Sequence, residues 1–307
     1  MSVAPWHPSQ PHAALAADVR RWLGTPATFA LYGRLALDQV AWREVAAAVD
    51  ASGRFAANFT DRGIRSGLWG PLLLFGDEAD RAAMATRLKD LHGEVRGRGQ
   101  GHFAGERYSA LNPDVWKWVG TTSMLVFHTG YVTTYPGLSE AERDVVYATV
   151  LHLSDFDLPS ERARLPRTRS EAEAYYDEVA ATRLDDNEFL QWANRSFDAL
   201  PVPTLLGPRW LHLLLTPAWR LLTPALTRPA KICAERAAHP RMRELLGVRW
   251  TRRREREFRL YAALVRGARR VLPQWLLLDP LAHNRLRYEQ LRAAYRKTQL
   301  TSFAPPQ

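Results

Sequence analysis

The segment from Glu78 to Arg96, EADRAAMATRLKDLHGEVR, contains the clearest helical pattern of this 307-residue chain. Four of its apolar residues are spaced by four, three and four positions: Met84, Leu88, Leu91 and Val95. This spacing places them on one face of an amphipathic α-helix. The sequence therefore predicts a helix over 78–96, ended by the glycine-rich run from Gly97 to Gly101.

Helix-start signals recur on both sides of this segment. Asn112-Pro113-Asp114 suits the first turn of a helix, because proline is tolerated there and aspartate meets the positive helix end. Ser139 to Glu142 and Thr168 to Glu171 have the capping-box pattern, a hydroxyl residue three positions before a glutamate. Further helical patterns cover 11–23, 27–50, 185–200, 228–238, 240–246, 252–272 and 280–297, whereas the glycines of 58–76 indicate turns.

These patterns predict an all-α protein that forms a single large helical domain. No segment shows a convincing alternation of polar and apolar residues, although short strands within 51–61 stay open. No stretch has the composition of a flexible linker between domains. We divide the chain into an N-terminal helical extension over 1–25, a main domain over 26–298 and a C-terminal tail over 299–307.

The composition is that of a globular protein, with 46% apolar and 24% charged residues. The single cysteine, Cys233, excludes a disulfide framework, a cysteine-rich zinc module, an iron–sulfur cluster held by four cysteines and covalent c-type haem. It fits a reducing compartment, and the N-terminus lacks the basic and apolar regions of a signal peptide. We therefore expect a cytoplasmic protein.

The net charge of +10 is concentrated in one block, because residues 241–270 contain eleven arginines and three glutamates, 11 − 3 = +8. Such a block indicates a nucleic-acid footprint, a membrane contact or a solvated helix face. The apolar residues of 252–272 recur at helical spacing beside the arginines, so an amphipathic helix with a basic outer side is expected. A nucleic-acid partner is therefore not favoured.

The most apolar segment, Leu205 to Leu226, is interrupted by two arginines and three prolines. A membrane-spanning helix needs about 20 mostly apolar residues, so this segment is not expected to cross a bilayer. Two explanations are left. The favoured one is a pair of buried core helices, and the other is a peripheral membrane contact made with nearby arginines.

Among residues that carry chemistry, His92 stands out. The sequence has no phosphate-binding loop, no dinucleotide-binding glycine pattern, no Gly-x-Ser-x-Gly elbow and no His-Glu-x-x-His. His92 lies on or beside the apolar face of the 78–96 helix, with Lys89 and Arg96 one turn to either side. That arrangement suits a haem, with iron on the imidazole and propionates on the cations. A partly buried histidine with a hydrogen-bond partner explains the same pattern and is the commoner case.

Several short motifs resemble, in order and spacing, those of one enzyme family. They are Arg62-Gly-Ile-Arg65-Ser66, Leu88 to Gly97 around His92, Tyr108 to Pro113, Trp116-Lys-Trp-Val119, Leu138-Ser-Glu140 with Tyr147, Leu165-Pro166 with Tyr175-Tyr176, and Met242 to Gly247. The family is that of latex clearing protein, a rubber oxygenase, and the oxygenase of the mycophenolic acid pathway. Each motif alone is weak, but together they cover about residues 26–285.

The resemblance implies an all-α domain enclosing a noncovalent haem b, with dioxygen as co-substrate. It makes His92 the iron ligand. It implies catalytic residues on the distal side, namely Arg62, Arg65 and Ser66. It also implies further cofactor contacts: Lys89, Arg96 and Arg243. Residues of one helix are expected to line the substrate pocket: Trp116, Trp118, Phe127, His128 and Tyr131.

The chain departs from the family pattern at two places. Rubber-cleaving members carry Lys-Thr where this chain has Arg65-Ser66, and arginine is a poor iron ligand because it stays protonated. We therefore predict a distal site that residue 65 does not close. Many members have a histidine where this chain has Gly120, which leaves more room or removes a polar contact. His128, two turns later, is either a pocket residue or, more commonly for such a pattern, a core histidine.

The resulting hypothesis is a haem b-dependent oxidoreductase that acts on an apolar substrate or an intermediate of secondary metabolism. Cleavage of a C=C bond, hydroxylation and dehydrogenation stay open as outcomes, and with them the need for an electron donor. The alternative is a non-catalytic basic protein that binds nucleic acid or a membrane surface through the arginines of 241–270.

Overall fold

The computed structural model describes residue 8 and residues 10–154 and 160–299. Within these ranges the fold is all-α apart from one short hairpin. The helices are α1 (Ala13–Leu23), α2 (Phe29–Val40), α3 (Arg43–Ala51), α4 (Arg54–Ala57), α5 (Phe59–Gly67), α6 (Trp69–Phe75), α7 (Glu78–Gly93), α8 (Pro113–Thr134), α9 (Glu140–Ser154), α10 (Arg169–Thr182), α11 (Glu188–Ser196), α12 (Arg209–Ala237), α13 (Pro240–Leu245), α14 (Arg252–Val271), α15 (Gln274–Leu277) and α16 (Pro280–Lys297). The antiparallel strands are β1 (Arg96–Arg98) and β2 (Arg107–Ser109).

Helix α8 forms the centre of the molecule. Its sequence is apolar around the whole circumference, and buried residues follow one another along most of its length. A helix with this composition is stable only when other elements surround it, and α1, α2, α9, α10 and α12 pack against it. One continuous core, which includes Trp22 of α1, Trp118 of α8 and Leu190 of α11, therefore joins elements from most of the chain.

Local start signals predict the helices around α8 correctly. Asn112 caps α8 through the backbone N–H of Asp114. Ser139 and Glu142 exchange the hydrogen bonds of a capping box at the start of α9, and Thr168 and Glu171 do so at α10. These signals work because the donors and acceptors lie within one turn of each other.

Three predictions about elements are wrong. The helix over 78–96 ends at Gly93, and residues 96–98 form strand β1 instead. The glycine-containing segment 58–76 is helical, as α5 and α6, and the described part of 51–61 contains no strand. The helix over 27–50 is interrupted after Val40 and restarts at Arg43.

The apolar segment 205–226 also differs from expectation. Most of it lies in one continuous helix, α12, which contains Pro217, Pro224 and Pro229. Proline has no N–H group, so Pro217 and Pro224 leave the carbonyl groups of Leu213 and Arg220 without their helical hydrogen bonds. Both residues are exposed, so water can supply the missing bonds. The favoured explanation, a pair of buried core helices, is wrong, because several leucines of α12 are largely exposed.

The domain boundaries at 25 and 298 stay predictions. Trp22 and Leu23, within the predicted N-terminal extension, belong to the same core as α8. Of the predicted C-terminal tail, 299–307, only Gln299 lies within the described residues.

Candidate functional site

Helix α5 carries the predicted distal residues and is fixed at its N-terminus. Asn58 caps it by accepting from the backbone N–H of Asp61 at 3.0 Å. The buried Asp61 carboxylate accepts from the backbone N–H of Thr204 at 2.8 Å and also from its hydroxyl group. Thr60 donates to the carbonyl of Pro201 at 2.7 Å. The start of α5 is therefore tied to the segment before α12, which fixes the direction of its later side chains.

Arg62 and Ser66 lie one turn apart on α5 and form a pair, in which the guanidinium donates to the Ser66 hydroxyl. The Arg62 guanidinium also lies over the ring of Phe55, 5.2 Å from its centroid. Burial, and the nearby charge of Arg54, lower the pKa of Arg62 from its usual value. Arg65 is exposed, so the structure brings together two of the three predicted distal residues.

Helix α7 carries His92 in its last turn. Asp77 and Asp80 form a capping box at the start of the helix. The His92 ring meets Trp116 of α8 edge to face, with ring centroids 5.2 Å apart. Its Nδ1 atom is buried and has no hydrogen-bond partner among the described residues. The alternative, a partly buried histidine with a hydrogen-bond partner, is therefore not supported at Nδ1.

The electrostatic surroundings of His92 keep its ring neutral. Burial lowers the pKa of His92 from its usual value, and the Arg62 charge lowers it further. The charge of Arg62 therefore acts on His92, although the two residues lie on different helices. A neutral imidazole can offer a lone pair to a metal, whereas an imidazolium cannot.

The three predicted cofactor cations lie in different environments. Lys89 is half-buried on α7, one turn before His92. Arg96 is exposed on strand β1, so it is not one helical turn after His92 as predicted. Arg243 donates to the carbonyls of Glu235 and Arg236 at 3.0 and 2.9 Å, which satisfies the C-terminal end of α12.

The predicted pocket residues of α8 point in several directions, because successive positions turn by 100° around a helix. Trp116 meets His92, whereas Trp118 is fully buried between Trp42 and Tyr176. Phe127 packs edge to face on Tyr32.

The last two predicted pocket residues lie on further sides of α8. Tyr131 packs on Trp22 and donates to Asp18 at 2.8 Å. His128 is buried beside Tyr147 of α9. The helix therefore supplies one residue to the surroundings of His92 and others to separate parts of the core.

The expected extra room beside Gly120 is filled. A Cβ atom built on Gly120 would lie 2.4 Å from Cδ2 of Leu165, a buried residue. The space beside Gly120 is thus occupied by a leucine from the loop before α10. Of the two consequences predicted for Gly120, the larger space is wrong.

Two neighbouring cavities lie between α1, α8 and the C-terminal helices. One, of about 190 Å³, is mainly apolar and is lined by Tyr32, Gly67, Gly70 and Phe127, among others. The other, of about 410 Å³, contains several arginines. Thr25 and Leu278 line both. Phe127 is the one predicted pocket residue among the residues lining these cavities.

Sequence reasoning missed Tyr32 and the two glycines as part of this site. Glycines in this segment predict turns. In the structure Gly70 instead makes room for Tyr32, because a Cβ atom on Gly70 would lie 2.3 Å from the Tyr32 hydroxyl. The spacing Gly67-x-x-Gly70 was the available signal, since small residues three apart allow a close approach of another element to a helix.

The described residues contain no group of three or more histidine, cysteine, aspartate or glutamate side chains suited to a metal ion. No helix among them is both long enough and apolar enough to cross a membrane. Comparison with curated proteins and with solved structures gave no match. A family model described as the catalytic domain of ER-bound oxygenase mpaB/B' and rubber oxygenase matches residues 19–267. The chain therefore belongs to this oxygenase family.

Proposed function

We propose that this protein is a haem b-dependent oxygenase, with His92 as the iron ligand and dioxygen as co-substrate. The observation that carries the proposal is the buried Nδ1 of His92, which has no partner among the described residues. Buried polar atoms in native proteins are almost always hydrogen-bonded. The orphan nitrogen supports a bound group at His92, rather than at other residues with such an atom, because residues 88–97 resemble the family's histidine-containing helix. Membership of an oxygenase family supports the reaction class.

The surroundings fit a haem for three reasons. The ring is neutral because burial and Arg62 lower its pKa. Trp116 packs against the ring edge and limits its rotation. The apolar face of α7, including Met84 and Leu88, is only half-buried by protein. When bound, the haem would supply dioxygen activation, which protein side chains alone do not provide.

The residues of this chain then have definite roles. His92 would hold the group, and Lys89, one turn before it on the same helix, would meet a propionate. Arg62, oriented by Ser66, would donate hydrogen bonds to dioxygen bound beside it. We assign no such role to Arg65, which is exposed, or to Arg243, whose donors are engaged by carbonyl groups.

The first experiment is an absorption spectrum of the purified chain after addition of haem. We expect a Soret band in the wild type and its loss or shift in His92→Ala. His102→Ala is the matched control, since His102 is an exposed histidine that pairs with Glu188. Absence of the band in the wild type would contradict haem binding. An unchanged band in His92→Ala would contradict the ligand assignment.

The substrate and the electron balance are part of the proposal. We propose an apolar substrate or a natural-product intermediate. Cleavage of a C=C bond that incorporates both oxygen atoms uses no external electrons. Hydroxylation of one C–H bond consumes two, because the second oxygen atom leaves as water. Measuring reductant consumed per dioxygen would separate these outcomes and show whether an electron donor takes part.

A second proposal concerns the location of the protein, which we place in the cytoplasm at an anionic membrane surface. The carrying observation is the outer face of α12, where Trp210, Leu213 and Leu221 are 62, 77 and 82% exposed. Large exposed apolar faces mark contacts with proteins or membranes. The exposed Arg220 at the edge of this face provides charge complementary to acidic lipids.

The neighbouring helix strengthens this assignment. Helix α14 packs beside α12 through Phe258 and Ile232, and it exposes Leu260 and Leu264 together with arginines. Mixed leucine and arginine on one exposed face is the composition of interfacial helices. Co-sedimentation with vesicles tests the proposal. We expect binding to vesicles that contain phosphatidylserine and much weaker binding to pure phosphatidylcholine, and equal binding to both would contradict the charge argument.

A further inference from the structure

The larger of the two cavities has a surplus of positive charge. Its lining includes one acidic residue, Asp18, and four arginines: Arg21, Arg266, Arg269 and Arg270. They come from α1 and from the last turns of α14, which are distant in sequence. At neutral pH the charged residues of this lining sum to 4 − 1 = +3.

One arginine neutralises the single carboxylate. Arg269 donates to Oδ1 and Oδ2 of Asp18 at 2.9 and 3.2 Å, and also to the Tyr135 hydroxyl. Tyr131 donates to the same carboxylate at 2.8 Å. Burial alone would raise the pKa of Asp18, but the hydrogen bonds from Arg269 and Tyr131 outweigh it and lower the pKa. Asp18 is therefore ionised and fully engaged.

The other three arginines retain donors that can meet a ligand. Arg266 uses Nη1 on the carbonyl of Thr134 at 2.7 Å. Arg21 makes only a long contact of 3.4 Å to Asp18. Arg270 is exposed and has no carboxylate within ion-pair distance in the described part of the chain. Guanidinium groups that converge without enough carboxylates are the usual recognition element for a carboxylate or phosphate.

The smaller cavity has the opposite character. Its lining is mainly apolar, with Leu23, Leu74 and Phe127 among its residues. It borders on the junction of α5 and α6, and α5 carries Arg62 and Ser66. Thr25 and Leu278 line both cavities, so the apolar space and the arginine-lined space adjoin at these two buried residues.

We propose that the two cavities together bind a molecule with an apolar chain and one anionic head group. The head group lies among Arg21, Arg266 and Arg270, and the chain passes Leu278 into the apolar cavity toward α5. The identification of this molecule as the substrate rests on the proposed oxygenase function. The binding site itself is inferred from the two cavities alone.

Calorimetric titration of the full chain, before and after addition of haem, tests the head-group part. The probes are oleate, oleyl phosphate and oleyl alcohol, which share one chain. We expect both anions to bind at least about tenfold more tightly than the alcohol, because charge-assisted hydrogen bonds are the stronger class. Which anion binds more tightly identifies the head group. Equal affinity for all three probes would overturn the proposal.

Substitutions locate the head group. Arg266→Gln combined with Arg270→Gln should weaken the binding of the two anions and leave the affinity for oleyl alcohol unchanged. The matched control is Arg252→Gln combined with Arg256→Gln, two exposed arginines of the same helix that do not line the cavity. Thermal melts verify that each variant folds. A cavity variant that binds oleate as well as the wild type does would overturn the assignment.

A chain-length series tests the apolar part without any mutation. From butyrate to octanoate and laurate, affinity should rise about fourfold for each methylene group that becomes buried. A simple anion site would bind all three alike, and that result would overturn the two-cavity proposal. If no Soret band appears but the anions still bind, the oxygenase mechanism would be contradicted and the two-cavity binding site would be retained.

Discussion

His128 is buried in the core between α8 and α9. Both ring nitrogens are buried, and the centroid of the ring lies 6.1 Å from that of Tyr147. Burial, followed by the charges of Arg169 and Arg143, lowers its pKa to about 4, although Asp144 acts in the opposite direction. The native state therefore holds a neutral imidazole well below the pH at which a free histidine becomes charged.

This burial predicts a specific dependence of stability on pH. Since the unfolded histidine titrates near 6.5 and the native one near 4, the unfolded state binds more protons between these values. Stability should fall as the pH falls through this window, by roughly 3 kcal/mol in total. Urea unfolding of the wild type and of His128→Phe at about pH 7 and about pH 4.5 measures it. Phenylalanine has no proton to take up, so identical pH dependence of the two proteins would contradict the prediction.

Single residues could be predicted from sequence only where the signal is local. The apolar stripe singled out His92, and its burial beside Trp116 agrees. Arg96 was placed one turn further on the helix, but the chain leaves the helix at Gly93, where glycine disfavours continuation. The pairing of Asp18 with Arg269 joins residues 251 positions apart and has no local signal.

At the scale of elements, the crossing of α1 and α2 over α8 depends on one glycine. A Cβ atom on Gly130 would lie 2.2 Å from Cδ1 of Leu31 and 3.2 Å from Cη2 of Trp22. Both neighbours are buried, so neither has free space to move into. Gly267 of α14 differs, because nothing lies within 4 Å of the position of its Cβ.

These two glycines predict opposite effects of the same substitution. Gly130→Ala should destabilise the protein by about 1–3 kcal/mol, because an extra methyl group in a filled core forces strain. Gly267→Ala should stabilise it by about 0.5–1 kcal/mol, because alanine has the higher helix propensity. Thermal or urea unfolding of both variants measures the pair. A stabilised Gly130→Ala would show that the helices separate more easily than this packing indicates.

Helix beginnings were more predictable than helix interiors. The capping residues Asn112, Ser139 and Thr168 predicted the starts of α8, α9 and α10, because the hydrogen bonds of a cap join residues within one turn. The prolines of α12 and the glycines of α5 and α6 led to wrong predictions of helix breaks. A proline is tolerated where water reaches the carbonyl group that it leaves unbonded, and a glycine where another helix packs closely. Both conditions are tertiary properties.

At the scale of the whole molecule, ion pairs that include part of the arginine block join different helices. Arg254 pairs with the buried Glu235 of α12, and Arg228 of α12 pairs with Glu257 of α14 at 2.7 Å. Arg269 binds Asp18 of α1. The sequence showed the excess charge but not these pairs, because their partners lie on other helices. Whether an arginine of the block forms an ion pair depends on carboxylates of helices that are distant in sequence.

The outer face of α12 exposes several large apolar residues, and its composition supports a quantitative prediction. Leu213 and Leu221 lie about two turns apart on this face and are largely exposed. Changing both to glutamine should weaken binding to phosphatidylserine vesicles by about tenfold or more, since each leucine that enters the acyl region contributes roughly 1.5–3 kcal/mol when fully buried. Glutamine retains good helix propensity, so folding should be unaffected.

The matched control is Leu291→Gln, which changes an exposed leucine on α16 and should leave vesicle binding as it is. Salt separates the two contributions to binding. High ionic strength should screen the arginines and reduce binding of the wild type, whereas the ratio between wild type and the α12 variant should persist, because burial of leucine is not screened. Unchanged sedimentation of the double variant would contradict the membrane assignment. If sedimentation velocity instead showed a wild-type dimer that the same variant abolishes, a second copy of the chain would be the partner that covers α12.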